Sequence, residues 1–341
     1  MSLLRAVRLA TGPVLLAACS SAPLSSPAPA LTAGDEVREI VGALAADSME
    51  GRRTGTPGSA RAARFLAERM ASYGLEPGGD SSYFQRVTYE VAQGEEGEML
   101  RLAQAGSDSA GLVMDYNLIG LIRGSDPRLR EQAVVLGAHF DHVGIGKPVD
   151  GDSIYNGADD DASGVAAVLA AASALARDPP KRTVIVLLTS GEEFGILGTQ
   201  WYLEQPALPL AATVADLQVE MVGRPDSLVG GPGKLWLTGF ERSTMGESFA
   251  RAGLPVTADP RPEFQFFQRS DNIVFALRGI PAHTLSSFGM HPDYHQPSDE
   301  VDRMDFDHLA LAAELVTRAA RVLADGPRPA WHPGGRPTPT P

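Results

Sequence analysis

Apolar and polar positions along this chain alternate between two periods. Nearly continuous apolar runs at 133–136 (AVVL), 183–188 (TVIVLL) and 213–219 (TVADLQV) read as buried strands. Between and around them the spacing is helical. Val37, Ile40, Val41 and Leu44 share one face of a helix opening at Asp35. Ala62, Phe65, Leu66 and Met70 share another, started by Thr56-Pro57 and stopped by Gly74. The pattern predicts strands at 83–92 and 117–123, then a helix following the acidic loop Asp159, Asp160, Asp161. Further along it predicts a helix over 195–203, a short strand at 236–237, helices over 242–252 and 271–277, and a strand over 280–285. A final amphipathic helix, capped by Asp305, buries Leu309, Ala312, Val316, Ala319 and Leu323. Only the turn GSDPRLRE separates 117–123 from 133–136, so these two strands are expected to be antiparallel neighbours.

Strands alternating with helices define the α/β class, here a three-layer globule whose mixed, centrally parallel β-sheet lies between helices. One domain over 35–325 accounts for the pattern. Before it, 1–19 has Arg5 and Arg8, a short apolar run and small residues ending at Cys19. That is the layout of a bacterial secretory signal, and Leu16-Ala17-Ala18-Cys19 resembles a lipobox. The expectation is an exported protein of the bacterial cell envelope, held to a lipid membrane through acylated Cys19. Residues 20–34, rich in Ser, Ala and Pro, read as a tether, and 326–341 as a disordered Pro-rich tail. Cys19 is the only cysteine, so no disulfide can form within the chain. A formal net charge of -13 and the lack of a basic patch argue against nucleic acid.

The chemistry-bearing residues sit where strands end. His139 and Asp141 follow the run at 133–136, Glu192 and Glu193 follow 183–188, and Glu220 follows 213–219. In open parallel sheets, ligands gather beyond the carboxyl ends of the strands. Each group alone is a weak signal; their joint placement directs them to one crevice.

Five segments in order, NLIGLIRGSDP, VVLGAHFDHVG, YNGADDDASGVAAVL, TSGEEFGILG and HPDYHQPSDEVD, resemble the co-catalytic zinc exopeptidases of the bacterial leucyl aminopeptidase, aminopeptidase Y and glutamate carboxypeptidase kind. The resemblance implies a zinc-exopeptidase-like fold and two Zn²⁺ ions bridged by Asp160. His139 and Glu220 would complete the protein ligands of one ion, Glu193 and His295 those of the other. It implies Glu192 as general base, Asp141 as the partner that orients His139, and Tyr294 as a hydroxyl for the oxyanion. Imidazole and carboxylate suit Zn²⁺, and a shared carboxylate lets two cations sit close together. The implied activity is that of a metallo-aminopeptidase on peptide substrates. A carboxypeptidase or dipeptidase on the same site, a one-zinc glutaminyl cyclase-like acyltransferase, and a metal-free binding protein are the alternatives.

Two positions depart from the family pattern: Glu220 stands where Asp is usual, and Asn272 where RSDN replaces the commoner SDH. His142, His283 and His291 are read as structural or surface histidines. The Gly- and Arg-rich loop around Arg52 and the stretch 260–271 are candidates either to line the substrate cleft or to be surface loops.

Overall fold

The computed structural model describes residues 33–94, 97–104, 106–107 and 111–338. The signal sequence, Cys19 and nearly all of the tether lie outside the described residues, although Ala33 and Gly34 belong to the first turn of the first helix. Helix α1 (Ala33–Leu44) and helix α2 (Pro57–Ser72) lead into the sheet. The Thr56 side chain accepts from Ser59 N at the start of α2, and Gly74 takes a left-handed φ of 74° at its end. Strands β1 (Glu76–Pro77), β2 (Phe84–Gly94), β3 (Gly97–Leu102), β4 (Leu112–Ile122) and β5 (Ala133–His139) follow. A hairpin of β6 (Gly144–Val149) and β7 (Asp152–Tyr155) then precedes α3 (Gly164–Arg177) and β8 (Thr183–Thr189). Beyond these come α4 (Leu197–Glu204), β9 (Thr213–Val219), β10 (Leu235–Leu237), α5 (Thr244–Arg251), β11 (Val256–Ala258), α6 (Asn272–Leu277), β12 (Ala282–Ser286) and α7 (Phe306–Asp325).

All strands but the β6–β7 hairpin join one sheet, ordered β11-β10-β12-β9-β5-β8-β4-β2-β3 with β1 on β4. Its centre is four parallel neighbours, β12, β9, β5 and β8; β4 and β2 continue it antiparallel. The expected neighbours at 117–123 and 133–136 are therefore not paired. Strand β8 lies between them, bonded parallel to β5 and antiparallel to β4. A short connection can step over one strand, and local periodicity carries no record of what is inserted.

Two apolar layers flank the sheet because successive side chains of a strand point to opposite faces. Val134 and Leu136 of β5, with Val184, Val186 and Leu188 of β8, join the core built with α1, α2, α3 and α7. Ala133, Val135, Ile185 and Leu187 face Tyr202, Leu203, Phe275 and Ala276 on the other side. Burying each of these large side chains contributes on the order of 1.5–3 kcal/mol. The three-layer expectation holds, and no helix among the described residues is long and apolar enough to cross a membrane.

The segment after Gly326, expected to be disordered, is docked instead. Trp331 Nε1 donates to Gly279 O, Ala330 N to Thr244 Oγ1 and His332 N to Arg242 O. The Trp331 ring lies 5.6 Å from that of His283. Proline-rich composition removed the periodic signal, but the one large aromatic found a place beside the sheet.

Candidate metal centre

The four central parallel strands end together, and the expected ligands follow them. His139 is the last residue of β5, Glu193 lies in the turn after β8, Glu220 directly follows β9, and His295 is on the loop after β12. The acidic loop before α3 brings Asp160 to the same place. His139, Asp160 and Glu220 offer ligand atoms within 4.8 Å of one another; so do His142, Asp160, Glu193 and His295. Asp160 is common to both groups. His139 Nε2 is 3.3 Å from Asp160 Oδ1, and His295 Nε2 is 3.1 Å from Asp160 Oδ2 and 3.0 Å from Glu193 Oε2.

The loop carrying Asp160 is fixed on every side. Asp299 accepts from Asp159 N and Asp160 N at 3.0 Å, and Arg224 pairs with the same carboxylate. Asp161 turns away from the cluster and accepts from Gly164 N and Met221 N, tying the start of α3 to the residue after Glu220. Asp159 accepts from Gly223 N and meets His291 Nε2 at 2.9 Å. From behind, the fully buried Arg52 donates to the carbonyls of Leu44, Phe140, Asn156 and Gly157. Arg52 thus lines no substrate cleft; it braces the ligand loop.

Asp141 reaches His139 through its backbone. His139 Nδ1 is 3.1 Å from Asp141 O and 3.8 Å from its Oδ1. The Asp141 carboxylate accepts from Thr54 Oγ1 and from the amides of Glu192 and Glu193, so one residue orients the imidazole and aims the acid pair.

Electrostatically the cluster calls for cations. Burial, reinforced by Glu193, raises Asp141 to about 6, and burial with Asp160 and Asp271 raises Glu220 to about 7. Burial and the charges of Glu220 and Glu193 push Glu192 well above the carboxylate range. Burial also works against the charge of Glu193, yet His142 and His295 outweigh it and hold that carboxyl at about 2. His139 Nε2 and His142 Nε2 are buried with no hydrogen-bond partner among the described residues. Imidazole and carboxylate donors converging at this spacing fit a pair of zinc ions, whose positive charge would relieve the mutual repulsion of the acids.

Beside Glu220 opens a small cleft lined by Met221, Trp236, Phe266, Arg269, Phe288 and Tyr294. The stretch 260–271 does contribute, through Phe266 and Arg269. Tyr294 stacks on His295 with ring centres 3.9 Å apart and packs against Phe288. Its hydroxyl makes no hydrogen bond among the described residues, and burial with the charges of Asp160 and Glu193 raises its pKa.

Of the leftover histidines, His283 is structural, bonded to Ser243 Oγ and Thr238 O, and His291 braces Asp159. His142 is the exception to that expectation. It lies inside the second donor group, with Nδ1 2.7 Å from Glu193 Oε1. Both polar side-chain atoms of Asn272 are bonded, Nδ2 donating to Phe267 O and Oδ1 accepting from Thr284 Oγ1, so neither atom is left without a partner at that departure.

A mixed sheet whose parallel strands bring two histidine–carboxylate nests sharing one aspartate to one edge forms a candidate two-metal site in an α/β fold. Residues 117–320 match the model of Peptidase family M28, and the chain belongs to that family. Among curated proteins it is 30% identical over 200 residues to a probable leucine aminopeptidase 2 of Aspergillus fumigatus, covering 55% of this chain and 38% of that one. The chain thus matches well under half the length of that relative. Among solved structures it resembles an aminopeptidase from Aneurinibacillus sp. strain AM-1 (TM-score 0.60, 17% identity, 86% of this chain and 94% of that one). It also resembles a zinc aminopeptidase from Bacillus subtilis (TM-score 0.62, 14% identity, 86% and 95%). These two likenesses concern the fold.

Proposed function

We propose that this chain is a zinc-dependent aminopeptidase that removes N-terminal residues from peptides outside the cytoplasm. The observation that supports it most is the sharing of Asp160 by two donor groups in a sheet-edge crevice beside a cleft. His139, Asp160 and Glu220 would hold one zinc ion, and Asp160, Glu193 and His295 the other. Bound there, the pair would supply Lewis-acid polarisation of the scissile carbonyl and a water acidified for attack.

The chain's own groups do the rest. Glu192, whose burial beside Glu220 and Glu193 raises its affinity for a proton, acts as the carboxylate: it takes the proton of the attacking water on one oxygen and hands it to the departing amine. The free Tyr294 hydroxyl donates to the carbonyl oxygen as it gains charge. The acidic cluster attracts the substrate's α-ammonium, through Glu192 or Glu220, and the aromatic cleft takes the neighbouring apolar side chain. Export and acylation at Cys19 complete the reading, and loss of membrane partitioning in Cys19→Ala would support them.

One observation favours a second reading. The Arg269 guanidinium lies at the cleft over the Phe266 ring and has no acidic partner among the described residues. It suits a substrate carboxylate, as a carboxypeptidase or dipeptidase would need. A panel of aminoacyl-p-nitroanilides beside N-blocked peptides, with and without chelator, separates the two. Chelator-sensitive cleavage of the anilides supports aminopeptidase action; cleavage of blocked peptides alone refutes it. Glu192→Gln is expected to lose at least a thousandfold in kcat while keeping its zinc, and near-normal turnover would remove Glu192 as the proton carrier.

A further inference from the structure

His142 stands outside the ligand set carried over by resemblance, yet its surroundings are those of a ligand. The ring is fully buried, and its Nδ1 lies 2.7 Å from Glu193 Oε1 and 3.7 Å from Asp160 Oδ2. His295 Nε2 completes the group at 3.0 Å and 3.1 Å from the same two carboxylates. In a tetrahedral zinc site with bonds of about 2.0–2.1 Å, donor atoms stand about 3.3 Å apart. The separations here, from 2.7 to 3.7 Å, bracket that edge length. The two imidazoles converge from different directions, their planes 73° apart.

The other fully buried histidines provide a comparison within the same molecule. His283 uses both ring nitrogens, on Ser243 and Thr238, and His308 uses both, on Gly233 N and Ser287. A histidine serving only the core satisfies its polar atoms in this way. His142 instead turns Nδ1 to two carboxylates that His295 also faces. Gly157 makes room for it: a Cβ at that position would fall 2.6 Å from the His142 ring.

We propose that His142 Nδ1 is a fourth protein ligand of the second zinc ion, beside Asp160, Glu193 and His295. The inference rests on the two-ion reading above. It makes the two sites unequal. The His139 site would have three protein donors, the number in catalytic zinc sites, and the His142 site four, the number in structural ones. The second ion would then be the one retained most tightly, anchoring Asp160 and Glu193 while exchange and substrate contact fall to the first.

The test uses the full chain loaded with Co²⁺, with metal per chain measured alongside proton NMR. The expected result is two cobalt ions and three hyperfine-shifted, solvent-exchangeable imidazole N–H resonances, one of which disappears in a folded His142→Gln variant. In chelator competition that variant should release one of its two ions at least tenfold more readily and the other unchanged. Two such resonances in the wild-type protein with two cobalt ions bound would overturn the proposal, whatever the variant does. Fewer than two ions per chain would instead overturn the two-ion reading beneath it.

Discussion

Replacing the fully buried Arg52 by Met should cost this protein several kcal/mol, and the structure sets the scale. The side chain is fully buried and donates at 2.7 Å to Phe140 O, 2.7 Å to Leu44 O, 2.6 Å to Asn156 O and 3.0 Å to Gly157 O. Hydrogen bonds from a charged donor contribute roughly 1.5–3 kcal/mol each, so four would sum to at least about 6 kcal/mol. Relaxation and entry of water recover part of this, because one variant does not lose four bonds additively. A loss of about 4 kcal/mol is the expectation, a large share of the roughly 5–15 kcal/mol that holds a folded domain. Removing the guanidinium also leaves Asp160, Asp299, Asp141 and Asp161 without the positive charge behind them. Urea unfolding of wild type and Arg52→Met, followed by circular dichroism at one fixed zinc concentration, measures the difference. Arg52→Lys, which keeps the charge and loses the fork, should fall between them. A Met variant within about 1 kcal/mol of wild type would refute the reasoning, since the exposed carbonyls would then have found other partners at almost no cost.

Acid stability should depend on His283. Burial lowers its folded-state pKa to about 4, so between about 6.5 and about 4 the unfolded chain binds the extra proton and stability falls as pH falls. The full window amounts to about 3 kcal/mol. A His283→Gln variant should flatten that part of a stability-against-pH curve, and an unchanged slope would exclude the effect. Gly157→Ala should cost metal as well as stability. Gly157 has φ 60°, and its added Cβ would lie 2.2 Å from Asp160 O as well as against the His142 ring. Less than two zinc ions per purified chain is the expected result; full loading with an unchanged Tm would contradict it.

The strands and helices were readable because burial on two faces or on one stripe leaves a local period. Runs such as TVIVLL and the stripe Leu309 to Leu323 meet their elements within a few residues. Pairing was not readable in the same way. That β8 sits between β4 and β5 is a long-range fact, and the short turn between the latter two misled. The β6–β7 hairpin went unpredicted although Asp150-Gly151 marks its turn. At the site, the residues following strands were legible, since chain direction alone brings them to one edge. Arg52 and Asp299 were not, because nothing local distinguishes a brace for backbone groups from a surface charge. His142 carried one signal, its place immediately after Asp141, which two ordinary histidines elsewhere in the chain made easy to discount.

The parallel centre of the sheet has a consequence for how the protein can change. Neighbouring strands are held about 4.8 Å apart by their backbone bonds, so the sockets after β12, β9, β5 and β8 are spaced by a lattice no single side chain controls. Glu220, a longer acid at the socket after β9, moves a carboxylate oxygen without moving that lattice. Tuning here is therefore a matter of reach. Substitution can exchange the tips, while the ruler beneath them stays as it is.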